Sequence, residues 1–170
     1  KGIMEGWFPS STGEYGVVLE DDTEVSYHFV TWIATVIDSY KANPDRNLVG
    51  ISFNKAHTIE AINLRQEFDL KNVLNGLTGD PHSPFFLQVP SSGGAVFFPE
   101  IWRRFHLYMH LRMLSETIDE EAIMDVRVPE SRTNGWKAGW RKFLYEMMYL
   151  RGQYMLFPSF DIPMTGDGSI

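Results

Sequence analysis

The chain has 170 residues and a mass of 19.6 kDa, with 44% hydrophobic and 22% charged residues, enough apolar surface for one globular core and too much for a disordered chain. It contains no cysteine, which removes disulfides, thiolate zinc sites and thiol nucleophiles together and leaves the redox compartment, whether cytoplasmic or Golgi/ER lumenal, open. The formal charge of −7 falls unevenly: residues 1–100 carry 6 Lys and Arg against 13 Asp and Glu, and residues 101–170 carry 9 of each, so the cationic footprint of a nucleic-acid binder is missing.

No apolar run approaches the roughly 18–20 residues that span a bilayer, and the opening Lys1-Gly2-Ile3-Met4-Glu5-Gly6 lacks the apolar core of a signal peptide. The first predicted strand is Glu14–Leu19, a short apolar run read as buried. Four of the five residues that follow, Glu20 to Glu24, are carboxylates. Like charge at that density is costly unless solvent, a cation or a helix N-terminus takes it up. From Ser26 as N-cap, Phe29, Trp32 with Ile33, Val36 with Ile37, and Tyr40 recur at helical spacing up to Asn43-Pro44. Strand, acids and helix together make an α/β unit.

A second strand is expected at Leu48–Phe53, then a long polar stretch with turn signals up to Pro84, of the kind that forms substrate loops. Phe85–Val89 and Ala95–Phe98 read as further strands separated by Pro90-Ser91-Ser92-Gly93-Gly94, where paired glycines allow a sharp turn or a close approach to a ligand. Pro99 suits a helix start, with Ile101, Phe105, Tyr108 with Met109, and Met113 on one face. A last helix is predicted over Trp136–Arg151 with Gly152 at C′, and a closing strand over Tyr154–Phe157.

The position of Glu20-Asp21-Asp22 immediately after a strand is chemically informative, because ligands of open α/β sheets bind at the carboxyl ends of strands. Adjacent carboxylates there can hold Mg²⁺ or Mn²⁺, and the dication in turn holds a diphosphate that the bare acids would repel. A solvated acidic turn, with Asp22 or Thr23 capping the next helix, is the plainer alternative. His106 and His110 stand four apart on the predicted helix without the Glu of a zincin motif, and packing accounts for them. Trp102-Arg103-Arg104 and Trp140-Arg141-Lys142 combine aromatics with cations as sugar or phosphate sites do, although a packed indole beside solvated charges explains them as well. Trp136 and Trp140, one turn apart, suit either a sugar-stacking edge or a core face.

Val17 to Ser26, followed by His28-Phe29 and Trp32, resembles the metal-binding segment of GT-A-fold glycosyltransferases, in the Glu-Asp-Asp form of the N-acetylglucosaminyltransferase I group and of family-2-like enzymes. Ser91-Ser92-Gly93-Gly94-Ala95-Val96-Phe97-Phe98 with Trp102 resembles their glycine-pair segment, and Phe143-Leu144, Leu150-Arg151-Gly152 and Met155-Leu156-Phe157-Pro158 resemble the family-2 ending. The resemblance implies an α/β fold, a GT-A-like (Rossmann-like) mixed sheet flanked by helices, with residues 1–170 as a single metal-binding and acceptor-side portion. It implies Asp22 as the direct Mn²⁺ or Mg²⁺ ligand, Asp21 on the metal through water or on the donor ribose, Glu20 as a supporting acid, and Gly93 and Gly94 against the transferred sugar.

The reaction so implied is transfer, by inversion, from a nucleotide-sugar, a UDP-sugar first, to a carbohydrate or other hydroxyl acceptor. Only 19 residues precede Glu20, so the nucleotide-binding first half of such an enzyme is expected to be absent from this chain. An inverting transferase also needs a carboxylate base. The position that holds an acidic pair in family-2 enzymes falls near Trp140-Arg141, which leaves Asp125, Glu130 and Glu146 as candidates, Glu130 first because it opens a polar loop before the helix. The competing expectations are an inactive transferase-like module that binds carbohydrate or protein, and a divalent-metal phosphotransferase or hydrolase using the same acids.

Overall fold

The computed structural model describes residues 2–21, 23, 25, 27–56, 58–59, 66–67, 76, 80, 83–91, 93–118, 126–137 and 139–159. In chain order these form α1 (Gly2–Gly6), β1 (Gly16–Val18), α2 (Phe29–Ala42), β2 (Leu48–Ser52), β3 (Thr58–Ile59), β4 (Gln66–Glu67), β5 (Phe85–Leu87), β6 (Ala95–Phe97), α3 (Pro99–Ile118), a 3₁₀ turn (Arg132–Gly135), α4 (Trp140–Arg151) and β7 (Tyr154–Phe157). Five strands make one sheet in the order β1-β6-β2-β7-β5, while β3 and β4 pair separately within the long polar stretch read as a substrate loop.

β6 runs antiparallel to both β1 and β2, β2 runs parallel to β7, and β5 antiparallel to β7. β1, β2 and β7 therefore all point the same way, and their carboxyl ends share one edge of the sheet with the start of β6. The architecture is a mixed α/β sheet flanked by helices, as expected. β2, at its centre, is buried at all five positions, the pattern of a strand covered on both faces. β1 is an end strand of this sheet, with Val17 about half exposed, so the expectation of a buried first strand is corrected: without a second neighbour or a layer over its outer face, apolar Val17 is left in solvent.

Neighbouring residues of a strand face opposite sides, and Phe97-Phe98 at the end of β6 shows which helices cover which face. Phe97 packs on Trp102 of α3 at 4.7 Å and on Trp140 of α4 at 6.0 Å. Phe98 packs on Tyr40 of α2 at 4.2 Å. The core is continuous through the sheet, with Val49, Ile51, Val96, Phe105, Leu144, Met148 and Met155 almost fully enclosed.

Several boundaries differ from the sequence reading for identifiable reasons. Ser26 lies outside the described residues; α2 starts at Phe29, its first bond running from Trp32 N to His28 O, and His28 makes no side-chain cap. Trp136 takes an extended conformation after the 3₁₀ turn, so α4 begins four residues later than predicted, after Gly139. Its end is as expected: Gly152 N and Gln153 N donate to Tyr149 O and Met148 O, with Gly152 at φ 63°, a Schellman ending. On α3 the inward stripe continues Ile101, Phe105, Tyr108, Arg112, and Met113 is exposed. A 3.6-residue period places Arg112, not Met113, on that face, and an acid from α4 meets it there.

Candidate functional site

The register of β1 on β6 builds the candidate site. Val18 pairs with Ala95, so the residues leaving β1 lie beside those entering β6. Glu20 and Thr23 bond each other twice, Thr23 N to Glu20 O at 3.1 Å and Glu20 N to Thr23 Oγ1 at 3.2 Å. Thr23 is thus committed to the acidic segment and does not cap α2. Gly94 has φ 115°, and a Cβ there would lie 3.0 Å from Leu19 Cδ2 and Phe53 Cδ2 and 3.3 Å from Thr23 Cγ2. The acidic segment therefore packs against the glycine pair, and only glycine meets both the backbone angle and the space.

Glu20, Ser91, Gly94 and Trp140 line a small hollow at this edge. Trp140, the first residue of α4, is half-buried, with its ring against Phe97 and Trp102. Trp136 instead has the guanidinium groups of Arg132 and Arg141 over its ring, at 5.7 and 5.9 Å from the ring centre. The two indoles therefore have different surroundings, and Trp140 is the one at the acidic edge.

Glu20 and Asp21 are exposed, and Asp22 lies outside the described residues. Among the described residues no three His, Asp or Glu side chains gather as a metal-binding group, a set that does not include Asp22 or Glu24. The donor chemistry nevertheless fits a hard dication, because the segment offers carboxylate oxygens in solvent next to a backbone that glycine keeps clear.

The three candidate bases are separated by the structure. Glu146 is buried on α4, where its Oε2 accepts from Arg112 Nε and Tyr108 OH, each at 3.0 Å. It joins α3 to α4 and is not presented to an acceptor. Burial, followed by the charge of Glu146, raises the Tyr108 phenol well above its ordinary range, so Tyr108 stays a donor. Glu130 is exposed on the turn before the 3₁₀ segment, in the left-handed conformation at φ 57° that non-glycine residues seldom adopt. Asp125 lies outside the described residues.

Residues 1–118 match the model of the family described as the SPBC1E8.03c C-terminal domain. The chain belongs to that family. The match spans the acidic segment, the glycine pair and the whole of α3, so the elements that build the hollow, apart from Trp140, lie within the family's own region. None of the curated proteins compared with the chain matches it. Among the described residues no helix is long and apolar enough to cross a membrane.

Sequence reasoning missed two members of the edge, Ser52 and Asn54. Ser52 and Ser91, both buried, join their hydroxyls at 2.8 Å, Ser91 Oγ reaches Gly94 O at 3.1 Å, and Asn54 Nδ2 donates to Gly93 O at 2.8 Å. Ser52 and Asn54 lie 39 residues before their partners, so no local pattern links them; the only signal is polar residues at the end of an apolar strand. A larger groove of about 400 Å³ lies between α2 and the β7–β5 half of the sheet, with Trp32, Tyr40 and Phe86 on its walls. Its carboxylate, Asp45, already accepts from the Tyr154 hydroxyl, and none of the predicted site residues lines it.

Proposed function

We propose that the chain carries the metal-binding part of a GT-A-type glycosyltransferase, which moves a sugar from a nucleotide-sugar, UDP-sugars being the first to test, to a hydroxyl acceptor. One observation supports this reading above the rest: Leu19 and Thr23, which flank Glu20 and Asp21, meet Gly94 at the edge where β1, β2 and β7 end together. Mn²⁺ or Mg²⁺ held by Asp21 and Asp22 would supply the positive charge that binds the diphosphate and offsets charge developing on the leaving group. Glu20, tied to Thr23 through its backbone, supports that pair. The glycine segment allows the sugar to approach the backbone, and the Trp140 ring offers an apolar wall.

Inverting transfer needs a carboxylate to accept the acceptor's proton. Glu146 is occupied by Arg112 and Tyr108, which leaves Glu130 and Asp125 for that role. The same observation favours a second reading, a transferase-like module that binds carbohydrate without turnover. Substituting Asp21→Ala or Asp22→Ala in the longest natural form of the chain is expected to lower Mn²⁺-dependent transfer or hydrolysis of UDP-sugars by about 10²–10³-fold, the cost of losing charge stabilisation in the transition state. Full activity of Asp22→Ala would remove Asp22 as a metal ligand. Binding of UDP-sugar by the unsubstituted chain with no turnover would select the module.

A further inference from the structure

The glycine pair is held in place from the far side of β6. Asn54, just past the end of β2, donates from Nδ2 to Gly93 O at 2.8 Å. Its own backbone is fixed by Ser52, whose Oγ donates to Asn54 O at 2.8 Å and accepts from Asn54 N at 3.2 Å. The next carbonyl, Gly94 O, accepts from Phe53 N and from Ser91 Oγ, both at 3.1 Å. Ser91 has one hydroxyl proton for two acceptors, Gly94 O and Ser52 Oγ, so its bond to Gly94 is shared. Asn54 Nδ2 donates along a single direction to Gly93. The Asn54 amide also occupies the space that a Cβ at position 93 would need. Asn54 and Gly93 therefore require each other: one supplies the donor and the other supplies both the acceptor and the room.

The geometry points to Asn54 as a positioning residue of the acidic edge. By holding the Gly93 carbonyl it sets where Gly94 rests against Leu19, Phe53 and Thr23, and so the place of the glycine backbone beside Glu20. Resting on the transferase reading for its ligand, this assigns Asn54 a share of the affinity for a dication-bound nucleoside diphosphate without any contact to it.

The variant Asn54→Leu keeps the approximate shape and removes the donor without adding charge. In the longest natural form of the chain, hydrogen exchange at the Phe53 amide, which bonds to Gly94 O, is expected to accelerate about tenfold, the effect of losing one net hydrogen bond, with exchange at the Tyr154 amide unchanged. Unchanged exchange at Phe53 would overturn the assignment whatever the ligand. If Asn54→Leu folds poorly, a double-substitution cycle decides: Gly93→Ala lowers the melting temperature beside Asn54 and does so far less beside Asn54→Ala, whereas equal losses in the two backgrounds overturn the mutual fit. Titration with Mn²⁺ and UDP supplies the functional arm. About tenfold weaker binding by Asn54→Leu supports the positioning role, and unaltered binding despite faster Phe53 exchange overturns it. Absence of Mn²⁺-dependent UDP binding in the unsubstituted protein would count against the transferase reading, and the exchange and double-substitution results would still decide whether Asn54 places the glycine pair.

Discussion

His106 shows how a single side chain acquires a pH-dependent role from its surroundings. Its ring meets Phe8 edge-on at 5.0 Å and Trp102 at 5.9 Å, and burial lowers its pKa below the ordinary value of 6.5, with a hydrogen bond to the Trp7 backbone pulling the other way. A depressed histidine pKa favours the neutral ring in the folded state, so this contribution is complete above about pH 6.5, the unfolded-state value, and is lost as pH falls through the lower folded value. Melting temperatures of the unsubstituted chain are therefore expected to fall between pH 7 and pH 5 more steeply than those of His106→Phe, which keeps an aromatic ring in the slot. Parallel curves would show that His106 does not titrate against the fold. Gly94 is the counterpart on the backbone: its role follows from φ and from the nearness of Leu19 and Phe53, neither of which is visible in the residue itself.

At the scale of elements, a buried ion pair between Arg112 and Glu146 joins α3 to α4 beside their apolar contacts. Arg112 and Glu146 are both almost fully enclosed, and Tyr108 supplies a further donor to the carboxylate. Removing one partner of such a pair strands a charge away from water, whereas replacing both with apolar groups removes the desolvation cost as well. Glu146→Ala is expected to destabilise by roughly 3–5 kcal/mol in denaturant unfolding, and Arg112→Met with Glu146→Leu to recover most of that loss. A double variant as unstable as Glu146→Ala would mean that the pair contributes through more than mutual neutralisation. The helical period carries Arg112 to the buried stripe in the chain itself, but its partner comes from an element 34 residues away. That separation is why Glu146 resembles a free acid in the sequence and is a structural one in the fold.

For the molecule as a whole, the sheet binds early and late segments into one layer. β7 lies between β2 and β5, and β6 lies between β1 and β2, so the late strands cannot be separated from the early ones without breaking the pairs of central β2. The core likewise runs from Val36 through Phe105 to Phe157. Heat or denaturant is expected to unfold the described residues in one transition, with tryptophan fluorescence and far-UV circular dichroism coinciding, as for a single cooperative domain. Two separated transitions would show that the α3–α4 face and the α2 face melt independently.

Much of the architecture was legible in the residues because its signals are local. Hydrophobic period and turn chemistry place β2, β7, α2, the start of α3 at Pro99 and the Gly152 ending, and the local density of carboxylates marks Glu20 to Glu24. The sequence by itself also determined that thiol chemistry is excluded and that the acidic excess lies in the first hundred residues. Only the tertiary structure decided what stands next to that acid. Strand order and register put Gly93-Gly94, Ser91 and Trp140 at the end of β1, gave Asn54 its partner, and withdrew Glu146 into the core. The physical reason is range: propensity and periodicity act over a few residues, whereas pairing between strands about 80 residues apart, Val18 with Ala95, is set by the fit of the entire sheet and its two helical faces.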